Sequence, residues 1–316
     1  VLDPATVGVL SNPVGRHNAR GGLKAVEAVL AVAPAVSHRL AREPRAIEAA
    51  LSELAAAGVR HLAVNGGDGT VQAVLTVLAL RSPFANPPRL LLLAGGTTNM
   101  SAYDIGSHGR PAALLRALLA DRLAVTPRRV LAVREADGTT RCGFFLTAGG
   151  LPQAVRDCRA FRRRARLPGL RSALGTALWV SGRLLRLLAG RAPFEPQAID
   201  WQTAGTQQHS DALVLAATTH QRLAFGLRPW WGAGAGAINI TAISRPARRL
   251  ALALPGVLRG RPPAWAGADA GYASCRADTL QLTAAGGYAL DGEDYLSPAA
   301  TRLRIDAGPA FEFLRP

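Results

Sequence analysis

The run Val64-Asn65-Gly66-Gly67-Asp68-Gly69-Thr70 leaves an apolar stretch and enters one with helical spacing. Glycines this dense let backbone amides approach a phosphate closely, and amides at a helix start favour negative charge there. Asp68 suits such a place only beside a magnesium ion, or where its hydrogen bonds order the phosphates. A plain strand-to-helix turn capped by Asp68 is the alternative, but such a turn needs only one or two glycines. The run is neither a Walker loop, since no Gly-Lys-Ser/Thr follows, nor the G-x-G-x-x-G dinucleotide pattern. A second Gly-rich run, Ala94-Gly95-Gly96-Thr97-Thr98-Asn99, follows the next apolar stretch, and Ser11-Asn12-Pro13 with Gly15 closes the first. Together the three runs describe a nucleotide pocket. Asp291-Gly292-Glu293 places two more acids near the C-terminus, and taken alone it reads as a hairpin turn with exposed acids.

Something must carry these loops to one place. Strands are predicted at 6–10, 35–40, 61–64 and 90–93, with helices over 23–32, 44–57 and 71–80 between them. Strand and helix in turn imply a mostly parallel sheet, with ligands at the carboxyl ends of its strands. After about residue 125 the pattern changes to short strands at 130–133, 143–146, 199–201, 213–216, 238–243, 279–282 and 303–305. Asp137-Gly138 marks a hairpin, and many short strands without intervening helices suggest an antiparallel sandwich. A helical insertion over 152–191 interrupts them. The expected division is therefore an α/β domain over 1–125 and a β-sandwich domain over 126–296.

The chain has 316 residues, 49% hydrophobic and 18% charged, which argues against disorder. Its net charge of +16 points to an anionic partner. Lys24 is the only lysine, so the Arg excess fits a GC-rich coding composition as well. Three cysteines (Cys142, Cys158, Cys275) without a C-x-x-C pair give neither a disulfide framework nor a zinc pattern, and suggest a reducing cytoplasm. The chain start reads as a strand and not as a signal peptide. The most apolar long stretch, 170–189, is broken by Arg171, Arg183 and Arg186, so no span is expected.

In these markers the chain resembles the diacylglycerol kinase catalytic superfamily, which includes bacterial lipid kinases, sphingosine kinases and ceramide kinases. Four markers stand in order: Ser11-Asn12-Pro13 with Gly15, Gly66 to Thr70, Gly96-Thr97-x-Asn99, and Asp291-Gly292-Glu293. The resemblance implies an N-terminal nucleotide domain completed by 297–316 and a C-terminal β-sandwich, with the active site between them. It implies ATP-dependent phosphorylation of a primary hydroxyl on a membrane lipid, with Mg2+. Asn12, Gly66, Gly67, Asp68, Gly69, Thr70, Gly96, Thr97 and Asn99 would meet ATP. Asp68 would act through ATP-bound magnesium. Glu293 would be the general base, with Asp291 as base or as orienting group. The family's Asn-Asp ending is Asn99-Met100 here, with Asp104 one helical turn on as a substitute. A nucleotide-contacting Thr is replaced by Leu40, and the stretch matching an Asp-rich accessory metal loop, 230–239, has no carboxylate. Bacterial members are often dimers.

Arg162, Arg163, Arg164 and Arg166, with Arg156, Arg159 and Arg171, face only Asp157 in the same run. An apolar helical stripe through Leu170, Leu174, Leu178, Leu185 and Leu188, with Trp179 among them, follows. That pairing suits an anionic bilayer, and a solvated charge run beside a core helix is the competing reading. Trp230-Trp231 is a further candidate contact. No aromatic-interleaved or helix-turn-helix pattern supports nucleic acid. His17, His38, His61, His108, His209 and His220 lack metal-ligand spacing. The expectation is a cytoplasmic lipid kinase associated peripherally with the inner face of the membrane. An NAD kinase and a non-catalytic lipid- or nucleotide-binding module are the alternatives.

Overall fold

In the computed structural model, which describes residues 2–96, 99–165, 173–297 and 299–316, every residue of β1 (Val7–Ser11) is buried. Such a strand belongs inside a sheet covered on both faces. It lies there, parallel to β2 (Ser37–Leu40) on one side and β3 (His61–Gly66) on the other, with β4 (Arg89–Ala94) beyond β3. The intervening helices are α1 (Gly22–Leu30), α2 (Pro44–Ala56) and α3 (Asp68–Leu80), and α4 (Met100–Ile105) and α5 (Pro111–Leu119) follow β4. Side chains alternate along each strand. Leu10, Leu62, Val64 and Leu92 pack with Leu51, Leu54, Val74 and Leu75 of α2 and α3. Val9, Ala63, Leu91 and Leu93 pack on the opposite face with Val26, Val29 and Leu115 of α1 and α5. Because these strands run parallel, the loops after β1, β3 and β4 emerge at one edge.

The antiparallel region comprises β5 (Ala124–Glu135), β6 (Thr140–Gly143), β7 (Phe145–Ala148), β8 (Gln197–Thr203), β9 (Thr206–Thr218) and β10 (Ile238–Ser244). It continues through β11 (Tyr272–Ala277), β12 (Thr279–Ala284), β13 (Tyr288–Leu290), β14 (Glu293–Tyr295) and β15 (Thr301–Arg315). The inward faces meet in a sandwich-like core around Leu131, Leu146, Trp201, Leu215, Ile240, Leu282, Tyr288 and Ile305. The β5–β6 turn carries Gly138 at φ +87, with the Thr139 amide on Asp137 Oδ1 at 2.8 Å, as the Asp-Gly pair suggests. β15 runs beside β5 and β12, and its Phe313 stands parallel to Leu90 of β4. Hydrogen bonding therefore continues from one region into the other.

Two differences from the sequence reading bear on the site. The strand expected at 143–146 breaks at Phe144, between β6 and β7. Strands β11, β13 and β14 and helices α4, α5 and α8 (Leu250–Val257) were not expected, several being too short for periodicity to show. The helical insertion consists of α6 (Gly150–Arg164) and α7 (Ala173–Leu188). Arg166, Leu170 and Arg171 lie outside the described residues, as does Thr97. Among the described residues no helix is long and apolar enough to cross a membrane. The acid-free stretch at 230–239 has a packing reason for its glycines, since a Cβ at Gly232 or Gly236 would overlap the β11 backbone at Cys275 or Ala277. Trp231 packs among Leu213, Ile243 and Tyr272.

Candidate active site

The Gly66–Thr70 run forms the end of β3 and the first turn of α3. Thr70 and Val71 donate their amides to Gly67 O at 2.9 and 3.1 Å. The amides of Asp68 and Gly69, in the first turn, have no intrahelical acceptor and give the helix start its positive end. The loop after β4 lies against it backbone to backbone: a Cβ on Gly67 would sit 3.1 Å from Gly96 Cα, and one on Gly96 would overlap Gly67. The loop after β1 is tied in by side chains. Asn12 Nδ2 donates to Thr70 Oγ1 at 3.0 Å, and Asn18 Nδ2 donates to Asn12 O at 2.8 Å and Asn65 O at 3.1 Å. Asn18 was missed from sequence, because nothing in its own neighbourhood marks it.

Asp68 reaches sideways. Its two oxygens accept the Met100 amide at 3.1 Å and the Ser101 amide at 3.0 Å, so it caps α4. Asn99, at φ +49, turns its Oδ1 back onto the Gly96 amide at 2.9 Å. Asp68 and Asn99 thereby shape the second loop and join it to the first.

Asp291 and Gly292 form the β13–β14 turn, both with positive φ (+49 and +84), and Leu290 pairs with Glu293. This is the two-residue hairpin geometry that Asp-Gly favours. The turn reading holds, but its acids are not both exposed. Asp291 is 6% exposed and accepts the Phe144 and Phe145 amides at 2.9–3.2 Å. The break at Phe144 frees those amides to meet it. Burial, with the Asp68 charge adding to it and His220 and the two amides opposing, pushes the Asp291 carboxyl up to about 7. Glu293 is exposed, and its Oε1 lies 2.5 Å from where a Cβ on Gly69 would be. Residues 224 positions apart thus meet at the start of α3, and a Cβ at 69 would push the Glu293 side chain from where it stands.

Asp104 corrects an expectation. It does not replace the acid absent at position 100. Its carboxylate, 2% exposed, accepts the Gln221 and Arg222 amides at 3.0 and 2.9 Å and faces His220 Nδ1 at 3.2 Å and Arg128 Nε at 3.7 Å. Burial opposes its ionisation, but the bonds from His220 and Arg222 and the Arg128 charge outweigh that and hold it below the usual range. His220 is fully buried and stacks on Phe144, ring centroids 5.0 Å apart, with no partner at Nε2. Its isolated place in the sequence gave no sign of this.

The structure therefore brings Asn12, Gly66 to Thr70, Gly96, Asn99, Asp291 and Glu293 together where the loops after β1, β3 and β4 meet the β13–β14 turn. Leu40 lies exposed at the end of β2. Among the described residues no three His, Cys, Asp or Glu side chains group as a metal site.

Residues 6–126, the stretch that carries the first three loops, match the diacylglycerol kinase catalytic domain. That stretch belongs to the diacylglycerol kinase catalytic superfamily. Three solved structures from Bacillus anthracis str. Sterne, one described as a diacylglycerol kinase and two as putative ones, align over all of this chain and 98–99% of theirs. Identities are 14–15% and TM-scores 0.62–0.67, which shows a shared fold throughout, the antiparallel region included. No curated protein matches the chain. The family match covers residues 6–126 and the likeness of fold covers the whole chain, so the motif that supplies Glu293 lies outside the matched residues.

Proposed function

We propose that this site binds ATP and transfers its γ-phosphate to a primary hydroxyl of a membrane lipid, diacylglycerol or a sphingoid base or ceramide. The observation that carries the reading is the Glu293 carboxylate against Gly69, at the start of α3. Phosphoryl transfer asks a protein chiefly to position groups, neutralise charge and accept the nucleophile's proton. In this reading the α3 amides and the two touching Gly loops hold the phosphates. Asn12, Thr70 and Asn99 keep the loops in register, and residues 1–125 with 297–316 form the nucleotide unit. Glu293 takes the proton from the lipid hydroxyl, since its oxygens are not engaged with backbone amides as those of Asp291 are. A divalent ion would neutralise phosphate charge beside Asp68; with no ready-made cluster around it, the ion would rely on phosphate oxygens to complete its shell.

Exposed Arg163 and Arg164, half-buried Arg162, and exposed Leu178, Leu184, Leu185 and Leu188 on α7 support an anionic membrane as the place where the lipid is met. The test is to incubate the protein with labelled ATP, Mg2+ and separate mixed micelles of diacylglycerol, sphingosine, ceramide and monoacylglycerol, with NAD in a parallel tube. Label on one lipid is expected, and Glu293→Gln should lower kcat at least about a hundredfold while ATP binding persists. Label on NAD alone, or none with ATP bound, overturns the reading.

A further inference from the structure

We propose that Arg159 is a positioning residue for Glu293, so that the Arg-rich helix α6 sets where the base stands. The inference rests on the role of Glu293 proposed above. Its guanidinium spans the residues on either side of Glu293: Nη1 meets Asp294 Oδ2 at 2.9 Å and Nη2 donates to Gly292 O at 3.1 Å. Arg156, one turn earlier, adds Nη1 at 4.0 Å from Asp294 Oδ1. On the other flank Tyr295 OH is fixed by Gln72 of α3, at 2.8 Å from Nε2 and 3.1 Å from Oε1. The Tyr295 ring stacks on Tyr288 at 5.0 Å, and Arg141 lies over it at 4.2 Å.

The hairpin needs such holding. Its strands are three residues each; β13 is held on its other side by β7, but β14 is an edge strand with no further strand beyond it. Asp291 secures the turn and Tyr295 the far end, while Asp294 pairs with Ala289; between them Arg159, with Arg156 at longer range, is the side chain that bridges 292 and 294 from outside the hairpin. Asp294 is only 18% exposed, so the pair is partly shielded from solvent, while Arg159 at 46% can be changed without opening a cavity. A half-exposed ion pair adds little to global stability. Misplacing a catalytic group by about 1 Å can cost a hundredfold in rate. Loss of Arg159 should therefore register in turnover far more than in folding. Since α6 also carries Arg162, Arg163 and Arg164, an anion docking there acts on the element that holds the base.

The test compares wild type, Arg159→Gln, Arg159→Lys, Glu293→Gln and the Arg159→Gln/Glu293→Gln pair, using whichever lipid accepts label. Arg159→Gln should lower kcat about ten- to a hundredfold with KM for ATP within about twofold. Arg159→Lys should recover part of the loss. In the Glu293→Gln background the same change should cost almost nothing further, because its effect runs through the missing base. Amide hydrogen exchange over 292–295 should quicken in Arg159→Gln while the thermal midpoint stays near wild type. Unchanged kcat, an undiminished loss on the Glu293→Gln background, or unchanged exchange over 292–295 each overturns the proposal. If wild type labels no lipid, the functional reading fails first, and the exchange result still decides whether Arg159 orders the hairpin.

Discussion

Asp104, on α4, and Asp291, at the β13–β14 turn, are both nearly buried and both accept two successive backbone amides, yet their carboxyls shift in opposite directions. Burial disfavours the anion at each. Around Asp104 the compensation is large, because His220 and Arg128 stand in contact with it as well as the amides of the 221–222 segment. At Asp291 the amides of Phe144 and Phe145 act without a cation in contact, and Asp68 opposes the charge that His220 favours. Burial alone does not set a carboxyl's ionisation; the charges admitted beside it do. One acid is a fixed anion tying α4 of the first region to the β9–β10 connection of the second. The other has its carboxyl pushed up to about 7 by burial and stands at the turn that carries Glu293.

The strongest way to break this comparison is Asp291→Ala. It leaves the Phe144 and Phe145 amides buried without their acceptor, at about 1–3 kcal/mol each, so urea unfolding should show a loss of roughly 2–6 kcal/mol. A loss below about 1 kcal/mol would mean that water serves those amides and the site is not dry. Asp104→Asn keeps shape but removes the charge from its bonds, and should cost about 1.5–3 kcal/mol by the same measurement. No loss there would remove Asp104 as an anchor.

The finest distinction is in pH. The Asp291 carboxyl is raised from 3.8 to about 7 in the folded protein, so its contribution is full below about 4 and falls as pH rises toward 7. Asp104 is lowered from 3.8, so its contribution is present above about 4 and is lost only as pH falls through its folded value. Urea midpoints between pH 3.5 and 7.5 should show the wild-type advantage over Asp291→Asn declining across 4–7, by at most about 1.4 kcal/mol per pH unit. The advantage over Asp104→Asn should stay level across that window and shrink below it. Parallel curves for the two variants would erase the difference.

The Gly66–Thr70 and Gly96–Asn99 loops were readable from sequence because a close backbone approach demands glycine locally, whatever lies elsewhere. Strands β1 to β4 and helices α1 to α3 of the first region were readable for a similar reason: each apolar face has a period that its own residues carry. Asp291-Gly292 was readable as a turn, since Asp-Gly suits positive φ, but not as a buried acid. That burial depends on the strand break at Phe144, which hydropathy did not show. Arg159 was visible within a charge run, which concealed that it grips Gly292 and Asp294.

By itself the sequence determined the Gly-rich loops, the Asp-Gly turns and the strands and helices of β1 to β4 and α1 to α3, because propensity, periodicity and glycine's conformational freedom act over a few neighbours. Only the tertiary structure decided which acids are paired, which are buried and which faces the start of α3. Those properties belong to distances between residues far apart in the chain: Asp68 with Met100 and Ser101, Asp104 with His220, Gly69 with Glu293. Charge and burial act through space, and chain order does not encode that space until the strands have closed into one sheet.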